Sequence, residues 1–147
     1  TRSASDLLQL SLFNVADPAN PTLVEQLSVG GYGSYSDVNY SHKAFTFVST
    51  NGLLAIPVEL YNSTLDSSGV PYMTTLSFNG VMCYNVTSSG FEEYGALECV
   101  GNPAEYWMEW RRAALIGQTL YAVSADGVRG APLTDLAAMQ TVTFPAE

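Results

Sequence analysis

"HKAFTFVSTNGLLAIPVEL", residues 42–60, opens on the chain's single histidine, His42, beside its single lysine, Lys43. The stretch reads as a β-hairpin: a strand over 44–48, a turn at Asn51-Gly52 and a return strand over 53–60. Asn-Gly between alternating apolar residues is the strongest short-range hairpin signal, because both residues tolerate positive φ. Pro57 has no N–H to give to a ladder, which places the return strand at a sheet edge or near a bulge.

The pattern extends both ways. Residues 7–15 alternate Leu8, Leu10 and Leu12, "ADPANP" turns, and residues 22–30 alternate Leu23, Glu25, Leu27 and Val29. Residues 30–40 carry too much Gly and Ser for a regular element and form a loop bearing Tyr32, Tyr35 and Tyr40. After a loop at 62–71, three strands are expected over 72–78, 81–87 and 91–100, with turns at Asn79-Gly80 and Ser89-Gly90. Residues 105–133 form a further hairpin series turning at Gly117-Gln118 and Asp126-Gly127, and 139–144 close as a strand. Alternation puts Met108, Trp110, Ala114 and Ile116 on one face, with Trp110 toward the core and Trp107 turned away beside Glu109 and Arg111. The chain is expected to be all-β, a single domain over 1–147.

The 147 residues are enough for one core or a small array of packed sheets. A formal charge of −9 repels phosphate backbones, so nucleic acid is not an expected partner. No apolar run approaches the roughly 20 residues of a membrane-spanning helix. The start lacks Met and an apolar leader core, and reads as a mature or trimmed N-terminus. Asn39, Asn62 and Asn85 each open an Asn-X-Ser/Thr triplet, weak support for a secreted protein because such triplets also arise by chance.

Cys83 and Cys99 leave three readings: one bridge, two buried thiols, or a reactive thiol. With a turn near residue 89, positions 83 and 95 fall nearly opposite. Cys99 then lies a few residues beyond, and a bulge or curled strand end could close a disulfide, the preferred reading.

Taken together, "SLFNVADPANPTLVEQLSVGGYGSYSDVNYSHKAF", "LLAIPV", "GVMCYNVTSSGF" and "RRAALIGQTLYAVSADGVRGAPLTDL" resemble the secreted proteins with a C-terminal β-propeller domain distantly related to WD repeats. The resemblance runs in order over residues 8–144. It implies antiparallel four-stranded blades of roughly 40–50 residues, so the chain resembles the C-terminal portion of a propeller, about three blades' worth, below the usual four to eight of a closed ring. An open set of blades exposes strand edges and apolar faces. The implied partners are therefore the rest of the propeller, or a second copy meeting those edges.

Candidate chemistry is sparse. His42 could act as a general base with Asp37 and Ser36 or Ser41 in a hydrolase-like trio, but no nucleophile elbow is present. The family's "HKAF" segment instead implies that His42 begins an inner strand and hydrogen-bonds a loop or neighbouring blade. Zinc lacks a ligand set; calcium could find oxygen ligands at Asp17 and Asn20 or at Asp126, although neither stretch is an EF-hand loop. Tyr35, His42, Trp107 and Arg111 are the candidate ligand contacts, since aromatic faces can seat a sugar or peptide. Arg111 and Arg112 are expected on opposite faces, unable to share one anion, with at least one pairing a local carboxylate such as Glu105 or Glu109. "GGYGS" lacks the Lys-Ser/Thr of a phosphate loop. No cofactor is expected.

The leading expectation is a non-enzymatic interaction or ligand-binding module, secreted or at the cell surface, with a protein, peptide or carbohydrate ligand. The alternatives are a hydrolase-like enzyme using His42, and a purely structural assembly piece.

Overall fold

The structure, a computed structural model, describes residues 7–101 and 110–145. Strands β1 (Leu8–Asn14) and β2 (Thr22–Val29) form an antiparallel ribbon with one bulge between Leu12 and Phe13. The bulge breaks the expected inward row: Leu27 and Val29 face the core, while Leu23 is exposed. A one-residue insertion flips every side chain beyond it.

The middle sheet contains β3 (Tyr35–Ser36), β4 (Thr46–Val48), β5 (Leu53–Leu65), β6 (Pro71–Thr87) and β7 (Gly90–Glu98). Both β3 and β4 pair with the same flank of β5, so the sheet is four strands wide. The third sheet runs β8 (Arg112–Ile116), β9 (Thr119–Val123), β10 (Gly127–Pro132), β11 (Gln140–Thr143), each antiparallel to the next. The expected turns at Gly117-Gln118 and Asp126-Gly127 and the final strand are all present.

Three expectations change. Pro57 is not at an edge: it pairs with Val81 of β6 in a strand that is flanked on both sides. It is tolerated because β4 ends its pairing at Ala55 and β3 begins at Val58, leaving no partner that needs the missing N–H. Its carbonyl accepts the Ser36 hydroxyl at 2.6 Å.

Asn79-Gly80 makes no turn. Both residues lie within β6, facing Glu59 and Val58, and the hairpin reverses instead where Asp66 Oδ1 accepts the N–H groups of Ser68 and Val70. Gly80 is required by close approach: a Cβ there would lie 2.4 Å from the Leu97 carbonyl oxygen and 2.8 Å from the Glu98 Cα. At Asn51-Gly52 the turn does form, with Gly52 at φ +68 and Asn51 Oδ1 accepting the Leu53 N–H at 3.2 Å.

The Cys83–Cys99 disulfide does not form. Cys83 pairs with Gly95 as the spacing suggested, but the Cys99 N–H bonds Asn79 O at 2.9 Å. Four residues of β6 separate the two levels, about 13 Å at strand rise, beyond disulfide reach. The β6–β7 bulge lies between Cys83 and Tyr84, on the side away from Cys99, and cannot shorten the gap.

Two apolar layers hold the sheets. Leu53, Ala55, Val81, Cys83, Leu97 and Cys99 of one face of the middle sheet and its β7 exit meet Ala113, Leu120, Ala122 and Ala131 with Leu133 from the third. Its other face, through Leu54, Ile56, Val58, Met82 and Tyr84, meets Leu8 and Val29 of the ribbon. This is the partial-propeller arrangement: two sheets four strands wide and a third blade represented by two strands.

Two outcomes follow for measurement. Gly80→Ala is expected to lower stability by about 1–3 kcal/mol in urea unfolding, since its neighbours are backbone atoms that cannot swing away. Burial pushes the Cys83 thiol up to about 12, so it should resist alkylation in the native protein at pH 8. Denaturant without reductant should allow both cysteines to be alkylated, read by mass.

Candidate functional site

The polar residues that converge do so around Arg111, which is fully buried (0% exposed) just ahead of β8. It shares the inward parity of Ala113, while Trp110 faces out at 48% exposure with the Arg112 guanidinium 5.9 Å from its ring centroid. The expected orientation is thus reversed: odd positions of this segment face inward. Strand alternation fixes two faces but not which is buried.

Arg111 receives its partners from the middle sheet. Its Nε donates to Asn79 Oδ1 of β6, its Nη2 to Glu59 Oε2 of β5, and its Nη1 to Asp37 Oδ2 at 3.3 Å. Nη1 and Nη2 also reach the Tyr35 hydroxyl at 3.3 and 3.2 Å, so five hydrogen bonds employ the full donor set of a guanidinium. Tyr35 in turn donates to Glu59 Oε2 at 2.9 Å, Tyr61 donates to Glu59 Oε1, and the Arg111 backbone N–H donates to Asp37 Oδ1 at 3.1 Å.

Local structure explains the convergence. Ser36 caps a 3-10 turn at Asp37–Asn39, accepting the Val38 N–H at 3.2 Å, and this holds Asp37 beside β5. Tyr35 faces Glu59 through the β3–β5 pairing, and Asn79 faces Glu59 through β5–β6. Arg112, expected to point away from any anion shared with Arg111, also approaches Asp37, with Nη1 3.7 Å from Oδ1. Two guanidiniums thus face two carboxylates, Asp37 and Glu59, far off in sequence. The local carboxylates Glu105 and Glu109 lie outside the described residues.

Burial alone would lower the charge affinity of Arg111, but Tyr35, Glu59 and Asp37 together hold its pKa above the ordinary value. Burial and the Glu59 carboxylate push Tyr61 up to about 12; burial also raises Tyr35, against the opposing pull of Arg111. The buried Asn79 Nδ2 finds no hydrogen-bond partner among the described residues.

The other candidates separate. His42 lies in an exposed 3-10 turn, His42–Ala44, rather than at a strand start. Its side chain makes no hydrogen bond to Ser36 or Asp37; the Ser36 hydroxyl is given to Pro57 O, and Asp37 is held by the arginines. Asp17 and Asn20 satisfy each other, with Asn20 Nδ2 donating to Asp17 Oδ2 at 2.8 Å. Asp126 stands apart beside Gly101, and no three His, Cys, Asp or Glu side chains gather as metal ligands among the described residues. Trp107 lies outside the described residues. Arg111 is buried and Tyr35 half-buried against it, so among the described candidate ligand contacts His42 alone is fully exposed.

The arrangement is a lock between sheets. Arg111→Ala is expected to cost about 3–5 kcal/mol, because it strands the buried Glu59 carboxylate; Arg111→Lys should recover only part, lacking the planar fork. Urea unfolding measures both. Alkaline unfolding supplies an independent check. Since Tyr61 deprotonates later when folded than when unfolded, the associated stability is complete below about pH 10. It is then lost as pH rises toward about 12. Tyr61→Phe should flatten that alkaline decline.

No curated protein and no solved structure matches the chain, whereas the family model for the β-propeller domain matches residues 1–136. The stacked antiparallel sheets agree with that match, and the chain belongs to the β-propeller domain family.

Proposed function

We propose that these residues form a non-enzymatic interaction module of a secreted or cell-surface protein, binding a protein, peptide or carbohydrate ligand. The observation that carries this reading is the division of labour among side chains. The ionisable groups that converge use their hydrogen bonds on one another inside the fold, whereas large aromatics stand in solvent: Tyr40 at 85% exposure, Trp110 at 48%, with Phe45 and Phe47. Aromatic surfaces of this kind supply contact area with little rotamer entropy to lose. The acidic surface favours cationic or neutral ligands.

The test is selection of binders from a displayed peptide library and a glycan array. Selected ligands should lose at least about tenfold in affinity on Tyr40→Ser/Trp110→Ser, the size of loss expected for removing aromatic anchors. The hydrolase alternative is checked on the same protein with p-nitrophenyl acetate. Turnover that His42→Asn abolishes would overturn the reading, as would binders indifferent to both aromatic substitutions.

A further inference from the structure

Two Asn-Gly pairs, Asn51-Gly52 and Asn79-Gly80, sit in opposite surroundings. In such a pair the glycine nitrogen, with no Cβ beside it, can reach the asparagine side-chain carbonyl and close a cyclic imide. That requires a backbone free to turn the nitrogen over the side chain.

Asn51 is exposed in the turn over 49–52, between β4 and β5. Its own N–H is given to Val48 O at 3.3 Å, and the Gly52 carbonyl accepts the Val86 N–H at 2.8 Å. The Gly52 N–H, which would supply the nucleophile, gives no hydrogen bond to a described residue. Asn51 Oδ1 accepts the Leu53 N–H at 3.2 Å, so a donor already lies on the oxygen where negative charge develops as the carbonyl is attacked.

Asn79 has the stronger donor on its Oδ1, the Arg111 guanidinium, but its nucleophile is tied up. The Asn79 carbonyl accepts the Cys99 N–H, which turns the next N–H, that of Gly80, toward β5 opposite Val58. Held extended between β5 and β7, Gly80 cannot rotate over the buried Asn79 side chain unless the ladders part.

We propose that Asn51 is a modification site, converted to aspartate and isoaspartate through a succinimide, while the fold protects Asn79. A solvent base takes the Gly52 N–H proton, the nitrogen bonds to Asn51 Cγ, and the Cγ–Nδ2 bond breaks with release of ammonia. Water then opens the imide at either carbonyl. One opening leaves aspartate; the other leaves isoaspartate, with the main chain routed through Cγ. Isoaspartate lengthens the turn by a methylene and removes the cap on Leu53. Gly52 fits so closely beneath Val86 that a Cβ on it would lie 2.9 Å from Val86 O, so the longer turn cannot keep that seat. β4 pairs with β5 directly beside the turn, through Val48 and Leu53, and its end is what the modification loosens.

The protein is aged folded in mildly alkaline buffer and, in parallel, in urea, then cleaved briefly with trypsin. Residues 44–111 leave as one fragment bearing both pairs, and tandem mass spectrometry places each conversion. In the folded protein Asn51 is expected to convert at least about tenfold faster than Asn79, which reacts only when core strands open, and urea should erase the difference. Equal folded rates would overturn the proposal, as would conversion at Asn51 no faster than at Asn62, which is exposed but followed by Ser63. Isoaspartate is the signature of the cyclic route; aspartate alone would mean direct hydrolysis and also overturn it. Hydrogen exchange of the isoaspartyl fraction should quicken at the Leu53 and Val86 amides by at least about tenfold. Unchanged exchange at both would overturn the loosening of β4.

Discussion

The Arg111 guanidinium sets how two sheets meet. It enters from the lead into β8 and finds Asp37, Glu59, Tyr35 and Asn79, all carried by the neighbouring sheet or the turn beside it. Apolar contact between sheet faces is non-directional and would tolerate sliding. A buried cation does not, because a displacement of about one residue would leave a charge desolvated and unpaired, at a cost of several kcal/mol. Register between the sheets thus has a polar determinant, and Thr46, whose hydroxyl donates to Ala113 O at 3.0 Å, adds a second between β4 and β8.

The apolar layers complement this lock by size. Toward the third sheet the core is rich in small residues: Ala55, Cys83, Ala113, Ala122 and Ala131. Small side chains let the sheets approach closely, and Arg111 can then span the gap. Toward the ribbon the residues are larger, with Ile56, Met82 and Tyr84, the last edge-on to Phe91 at 6.3 Å between centroids. That interface has Glu25 at its outer margin and no counterpart of Arg111 among the described residues.

Much of this was legible in the sequence. Alternation found nearly every strand, and Asn51-Gly52 was read correctly as a turn. The same dipeptide at Asn79-Gly80 misled, because local propensity cannot distinguish a glycine needed for φ from one needed for space beneath a neighbouring backbone. Asn79 is likewise recruited by Arg111, 32 residues away. The lock was illegible for the same reason: its side-chain contacts to Arg111 span 32 to 76 residues. The strand itself carried no signal: Arg111 shares its row with Ala113 and Leu115, but the opposite row, Arg112 with Trp110, Ala114 and Ile116, is equally apolar, so alternation could not say which arginine is buried.

Unequal coverage of the sheets follows from their order. The middle sheet is enclosed on both faces, and so holds the most deeply buried strands. The third sheet has one enclosed face, and on the other Ile116 and Val142 stand largely in solvent. The Arg111 lock and the ribbon occupy opposite faces of the middle sheet, so one face takes its register from a buried charge and the other from larger apolar side chains with Glu25 at the margin. Because the two sets of contacts alternate along β5 and β6, a one-residue slip of either strand would exchange the faces and break both at once.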